Sequence, residues 1–218
     1  MGVALAQRFD GEVVSVDSMQ IYRGMAIGTA APTPEETEGV PHHMIGVADP
    51  AENWSVARFA QAADECVQDI LRRGKRPVLV GGTGLYLDAL LRGTDFAAGS
   101  QDTPLRRQLQ ERLRREGAET LLEELRRVDP DSAARLHLRD EKRILRALEV
   151  YQETGETITQ HDRRTREQPP RYEGLFIGLN FKDRQDLRDR IDRRVDGMVA
   201  QGLLDEVRSL LQSGLPRT

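Results

Sequence analysis

Glu12-Val13-Val14-Ser15-Val16-Asp17-Ser18-Met19-Gln20 is the stretch on which the fold turns. Val13, Val14 and Val16 are β-branched and favour a pleated, buried strand. Asp17 does not suit such a strand, so the strand is expected to stop there and present a carboxylate. In an open α/β sheet, ligands bind at the carboxyl ends of strands. Asp17 is therefore the first candidate for chemistry. An acid after a strand is also a common turn former or helix cap, and both readings stand on these residues alone.

Upstream, Val3 to Phe9 reads as the tail of a helix and Asp10-Gly11 as a turn. Downstream, Ile21 to Pro34 contains Gly24, Gly28 and Pro32 and reads as an extended loop. His42 and His43 are adjacent, so they point apart and lack the i,i+4 spacing of a helical zinc pair. Ser55 is a candidate N-cap for a helix carrying Val56, Phe59, Ala63, Val67, Ile70 and Leu71 at helical spacing, with Gly74 as its left-handed stop. Pro77-Val78-Leu79-Val80 is a second short strand. It runs into Gly81-Gly82-Thr83-Gly84 and then a helix over 85–91. Strand, glycine turn and helix make an anion-binding arrangement when the helix amides are free; a tight turn without a ligand is the plain alternative. Thr83 adds a hydroxyl. Two polar strand ends in one α/β frame predict a shared cleft.

From Thr103 to Gly155 the pattern is helical throughout. Thr103-Pro104 is an N-cap with proline at the first helical position. Leu105, Leu109 and Leu113 follow, and Gly117 stops the run. A second helix carries Leu121, Leu122, Leu125 and Val128 and ends at Asp129-Pro130. Asp140 is expected to cap a third, with Ile144, Leu145, Leu148 and Tyr151 on its apolar face. Helices without an intervening strand suggest an insertion set apart from the sheet. His161 to Arg166, stopped by Pro169-Pro170, reads as a basic loop, either a phosphate contact or a solvated linker. Leu175 to Leu179 returns to strand. Asp183 caps a helix with Leu187, Ile191, Val195 and Met198 inward, and Arg190 and Arg194 share one side of it. That pair suits a salt-bridged surface or the grip on a diphosphate. Gly202 ends this helix and a short one follows, before Pro216-Arg217-Thr218. The expected division is 1–100 and 173–218 for the α/β core and 101–172 for the helical insertion.

The totals exclude several classes. The net charge of −4 announces no global basic field. Residues 103–171 hold 16 basic and 14 acidic side chains, against 8 and 14 in residues 1–102. The middle is thus the arginine-rich part, read either as a basic face or as solvated helices of mixed charge. Cys66 is the only cysteine, which leaves no disulfide framework or thiolate metal site. No apolar run is long enough to cross a membrane, and no secretory leader is visible. A cytoplasmic monomer is expected.

Taken together, the chain resembles the tRNA dimethylallyltransferases, or tRNA isopentenyltransferases. The resemblance lies in Ser15-Val16-Asp17-Ser18-Met19-Gln20-Ile21-Tyr22-Arg23-Gly24-Met25, Ile27-Gly28-Thr29-Ala30, Pro41-His42-His43 and Val80-Gly81-Gly82-Thr83-Gly84-Leu85-Tyr86-Leu87. It continues in Arg143-Ile144-Leu145-Arg146-Ala147-Leu148-Glu149-Val150 and the helix of Arg190 and Arg194. It implies a P-loop kinase-like α/β core, built on a parallel sheet, with an all-helical insertion that grips the anticodon stem-loop. The implied reaction joins the N6 amine of the adenosine 3′ of the anticodon to C1 of dimethylallyl diphosphate, with Mg²⁺ assisting. The base is flipped from its stack. The resemblance makes Asp17 the general base and sets Thr83 between the nucleotide and the reacting centre. Ser18, Met19 and Gln20 would line the RNA channel. Arg106, Lys142, Arg143, Ile144, Leu145 and Arg146 would contact tRNA, and Arg194 with Arg190 would take the diphosphate. The family's Gly-x-Thr-x-x-Gly-Lys-Thr/Ser phosphate loop is not among these 218 residues, so a chain truncated at both ends is expected. That leaves two other readings: a transferase acting on free adenine nucleotides, and a non-catalytic RNA-binding fragment.

Overall fold

Strand β1 (Gly11–Val16) is buried at every one of its six residues. It has parallel partners on both sides. The edge strand β2 (His42–His43) pairs at Val13 and Val14, and β3 (Arg76–Gly81) pairs along the whole length, from Gly11↔Arg76 to Val16↔Gly81. The structure, a computed structural model, describes residues 1–93 and 103–215. These fall into two compact units, Met1–Gly93 with Tyr172–Thr218, and Thr94–Arg171. The expected boundary between residues 100 and 101, and Pro216 to Thr218, lie outside the described residues.

In the first unit the pleat of β1 sends alternate side chains to opposite faces. Val14 and Val16 meet Phe59, Ala63, Val67 and Ile70 of α3 (Val56–Arg72) and Tyr86 and Leu90 of α4 (Gly84–Arg92). Val13 faces the other way, against Ala6 of α1 (Gly2–Arg8). Helix α3 begins where expected, with Ser55 Oγ accepting from the Arg58 amide. Beyond it Gly74 takes φ +75°. Thr33 and Glu36 form a capping box on the short α2 (Pro34–Thr37), inside a region read as loop.

Glu12 brings a charge into the sheet, with 2% of its surface exposed. It is held by Arg73 (Nη2 to Oε2 2.8 Å), by His43 (2.8 Å) and by Lys75 (3.3 Å). The Arg73 hydrogen bonds hold its carboxyl far below the usual carboxylate range against the opposing pull of burial.

The last part of this unit departs from expectation. Leu175 to Leu179 forms no strand, and Leu175 is 91% exposed. A strand needs a neighbour's amides and carbonyls, and no described strand pairs with this segment. On α9 (Arg184–Ala200), Leu187, Ile191 and Val195 remain substantially exposed and the helix buries no residue. An apolar stripe turns inward only where another element covers it. Helix α10 (Leu203–Gln212) uses Glu206 to accept from the Ile27 and Gly28 amides, at 2.8 Å each.

The second unit is helical, with a core of its own: Leu109, Leu121, Leu122 and Leu125 pack on Ile144, Leu145 and Leu148. Helix α5 (Pro104–Val128) is broken at Gly117 (φ 82°, ψ 162°), where the stop was expected. Two elements went unforeseen. Helix α6 (Pro130–Ala134) starts at Asp129, whose buried carboxylate also receives the Thr159 amide and hydroxyl. Helix α8 (Ile158–Glu167) replaces the expected basic loop, because Thr157 and Gln160 form a capping box that starts it. Asp140 precedes α7 (Glu141–Thr154) but does not cap it with its side chain; the carboxylate turns back to the His137 amide, 2.9 Å away. Among the described residues no helix is long and apolar enough to cross a membrane.

Two predictions follow from the sheet. A Cβ on Gly81 would sit 2.1 Å from the Val16 carbonyl oxygen, whereas one on Gly82 would meet nothing within 4 Å. Urea unfolding should therefore show Gly81→Ala losing about 3 kcal/mol and Gly82→Ala changing by less than about 0.5 kcal/mol; equal effects would contradict the close approach. Glu12→Gln should cost about 2 kcal/mol near neutral pH. Because the folded-state pKa of Glu12 is depressed, its contribution is present above the unfolded value near 4.3 and is lost as pH falls toward the folded one. The gap between the two proteins should thus narrow below about pH 4, and a gap constant with pH would refute the assignment.

Candidate active site

The site forms where β1 and β3 end side by side. Backbone closeness at Gly81 lets the Thr83 amide reach the Val16 carbonyl (3.3 Å). The Thr83 hydroxyl oxygen then accepts from the Ser18 amide at 3.2 Å. Thr83 occupies the N-cap position of α4 yet makes no side-chain cap bond; its hydroxyl is turned across to the other strand end. A threonine hydroxyl that accepts in this way still has a proton to donate.

Asp17 is half-buried. Its Oδ1 accepts from the Met19 amide (2.8 Å) and the Gln20 amide (3.2 Å). The turn-former reading is therefore realised, and it does not exhaust the residue. Among the described residues, no bond engages Oδ2. The turn fixes the carboxylate through one oxygen and leaves the other as an acceptor. Tyr86 stands near this turn, stacked on Phe59 with ring centroids 4.3 Å apart. Burial, with smaller contributions from Tyr22 and Asp17, pushes its phenol up.

The glycine turn is not a ready anion cradle. The Thr83 amide is taken by Val16, and the Gly84 amide by the Gly82 carbonyl at 3.1 Å. What the turn supplies is open space, since a Cβ on Gly82 or Gly84 would meet nothing within 4 Å.

Gln20 ties the loop after β1 to the strand. Its Oε1 accepts from Ser15 Oγ (2.8 Å), and its Nε2 donates to the Thr29 and Ala30 carbonyls, both at 3.1 Å. The amide is thus committed to fastening the loop after β1 onto the strand. Ser15 was the overlooked signal, a hydroxyl inside a buried apolar strand. Ser18 and Met19 stand on the turn, Met19 45% exposed.

Arg190 and Arg194 are exposed on α9, with Arg190 set 5.9 Å from the Phe181 ring. No described bond joins either to Asp17 or Thr83. Among the described residues no three His, Cys, Asp or Glu side chains converge. The described side chains thus form no all-protein cage for Mg²⁺.

In the helical unit, Lys142 and Arg143 are exposed on α7. Arg106 and Arg146 meet over Glu149, a residue the sequence reading passed over: both donate to its Oε2, at 2.8 and 3.0 Å. Ile144 and Leu145, also expected at the tRNA, are 0% and 4% exposed, with their side chains packed inside the helical core. Their place between charged residues in the motif reflects the alternating faces of a helix.

A family model described as IPP transferase matches residues 20–218. The tRNA dimethylallyltransferase 1 of Pelobacter propionicus is 50% identical over 215 residues, covering 98% of this chain and 69% of that protein. The tRNA dimethylallyltransferase of Oceanobacillus iheyensis is 45% identical over 214 residues, covering 98% and 68%. Among solved structures, the full-length tRNA isopentenylpyrophosphate transferase of Bacillus halodurans is 42% identical with a TM-score of 0.64, covering 97% of this chain and 65% of that one. A eukaryotic dimethylallyltransferase acting on tRNA is 33% identical with a TM-score of 0.76, covering 97% and 52%. The chain thus spans from about half to somewhat over two thirds of these relatives. With a family match over nearly its whole length and curated relatives at 45 to 50% identity, the chain belongs to the IPP transferase family of tRNA dimethylallyltransferases.

Proposed function

We propose that this chain transfers a dimethylallyl group from dimethylallyl diphosphate to N6 of the adenosine 3′ of the anticodon in tRNA. The observation that carries this reading is the half-engaged carboxylate of Asp17, fixed at the end of a buried strand and joined through Ser18 to Thr83. N6 attacks C1 of the allyl group, the C1–O bond breaks, and diphosphate leaves with the bonding electrons. The amine becomes strongly acidic as the new bond forms. Asp17 Oδ2 takes the proton from this amine, which is cationic once the new bond has formed. The Thr83 hydroxyl donates to an oxygen of the reacting group. Arg194 and Arg190 receive the departing diphosphate.

Residues 1–100 and 173–218 serve the chemistry and 101–172 hold the RNA. Arg106, Lys142, Arg143 and Arg146 supply the phosphate contacts, which favours tRNA over a free adenine nucleotide as acceptor. A tRNA substrate puts the reaction in the cytoplasm, and the protein acts there as a monomer.

Asp17→Asn tests the assignment with little structural disturbance, because the Asn oxygen accepts from the same two amides. Single-turnover transfer to an anticodon stem-loop should fall about 10²–10⁴-fold while the unfolding midpoint is unchanged. Undiminished transfer would remove Asp17 as the base. In the same assay AMP should not compete with the stem-loop, and preference for AMP would overturn the choice of acceptor.

A further inference from the structure

Helix α10 meets the loop after β1 along one face, at Leu203, Glu206 and Leu210, whose spacing puts them on one side of a helix. An added Cβ on Gly28 would stand 3.2 Å from both Leu203 Cδ1 and Glu206 Oε1, and one on Gly24 would stand 3.7 Å from Leu210 Cδ2. Between the two leucines the Glu206 carboxylate spreads over consecutive amides: Oε2 accepts from Ile27 and Oε1 from Gly28, at 2.8 Å each. Satisfying a buried donor does not explain this pairing at Gly28, which is exposed and open to water. What the carboxylate adds is a fixed place for the loop.

The loop so held is wound on itself. The Thr29 amide donates to the Met25 carbonyl (3.2 Å), Ala30 to Ile27 (3.0 Å) and Ala31 to Ala26 (2.9 Å). Fixing the Ile27 and Gly28 amides therefore fixes the Thr29 and Ala30 carbonyls, which receive Gln20 Nε2. Gln20 is the next link, because its backbone amide is one of the two donors on Asp17 Oδ1.

We propose that Glu206 is a positioning residue for Asp17, acting through the loop of residues 25–31 and Gln20. The inference rests on the reading of Asp17 as the base. The sheet sets where Asp17 stands. The Met19 and Gln20 amides set how its carboxylate is turned, with Oδ1 engaged and Oδ2 presented. When the loop slips, Gln20 follows it, the carboxylate is free to rotate, and Oδ2 loses its aim. Among the described residues no bond joins Glu206 to Asp17 or Thr83, so its influence passes through the loop.

Glu206→Gln keeps the size of the side chain but leaves one acceptor oxygen and sets an NH₂ donor against an amide N–H. The test is single-turnover transfer from dimethylallyl diphosphate to an anticodon stem-loop by the full chain, with rate constant and amplitude read separately. The rate constant should fall about tenfold, with the amplitude and the stem-loop Kd unchanged. A merely structural residue does the reverse: the amplitude falls as part of the protein unfolds, and the remainder reacts at the parent rate. On the Asp17→Asn background Glu206→Gln should cost nothing further, because the group it aims is gone. A parent-like rate constant in Glu206→Gln, a loss of amplitude alone, or a loss that adds in full to that of Asp17→Asn overturns the positioning role and leaves Asp17 as the base. If Glu206→Gln does not fold, Glu206→Asp takes its place. Its shorter side chain keeps the charge and loses the reach to both amides, and a parent-like rate constant there overturns the proposal. Undiminished transfer by Asp17→Asn, or no transfer by the unsubstituted chain, overturns the reading of the base and the positioning role with it.

Discussion

The approach of the Gly81 backbone to the Val16 carbonyl is the contact on which the site depends. Parallel pairing carries β1 and β3 in register to their carboxyl ends. Only a residue without a Cβ lets them close there. Once closed, Thr83 bonds back to Val16 and on to Ser18, so the turn after one strand is held by the turn after the other. The carboxylate of Asp17 is therefore placed by the sheet, and loop flexibility plays little part in where it sits. A buried strand flanked on both sides and covered on both faces makes a rigid mount.

The same economy recurs in the helical unit. Buried acids there serve as fixed points for groups nearer the surface: Asp129 ties the start of α6 to the start of α8, and Glu149 ties α5 to α7 through two arginines. A buried carboxylate is tolerated only when its lone pairs are filled, so each one fixes the geometry of its partners. Glu12 plays this part in the sheet, collecting Arg73, His43 and Lys75.

Much of this was legible in the residues. The valine run ending at Asp17, the glycine turn, the Ser55 and Thr103 caps and the stop at Gly117 each state a local rule that the structure obeys. What escaped reading depends on partners distant in sequence. His42–His43 is a strand only because β1 accepts it as a neighbour. Leu175 to Leu179 has strand composition and no neighbour, and so no strand. The α8 capping box is written in Thr157 and Gln160, but the charged run behind it carries no apolar stripe to mark a helix. Glu149 looks like any solvated acid on a helix until two arginines are seen to share it. The bonds of Gln20 to Ser15, Thr29 and Ala30 join a strand to a loop nine and ten residues on, a pairing that spacing along the chain does not announce.

The central claim is that the unengaged oxygen of Asp17 meets the amine that reacts. A crystal structure of the chain with an anticodon stem-loop tests this most directly. The account predicts the adenine extruded over the Gly82 turn, its exocyclic nitrogen within hydrogen-bond distance of Asp17 Oδ2 and near the Thr83 hydroxyl. An adenine seated elsewhere, with Asp17 bonded only to the Met19 and Gln20 amides, would contradict it.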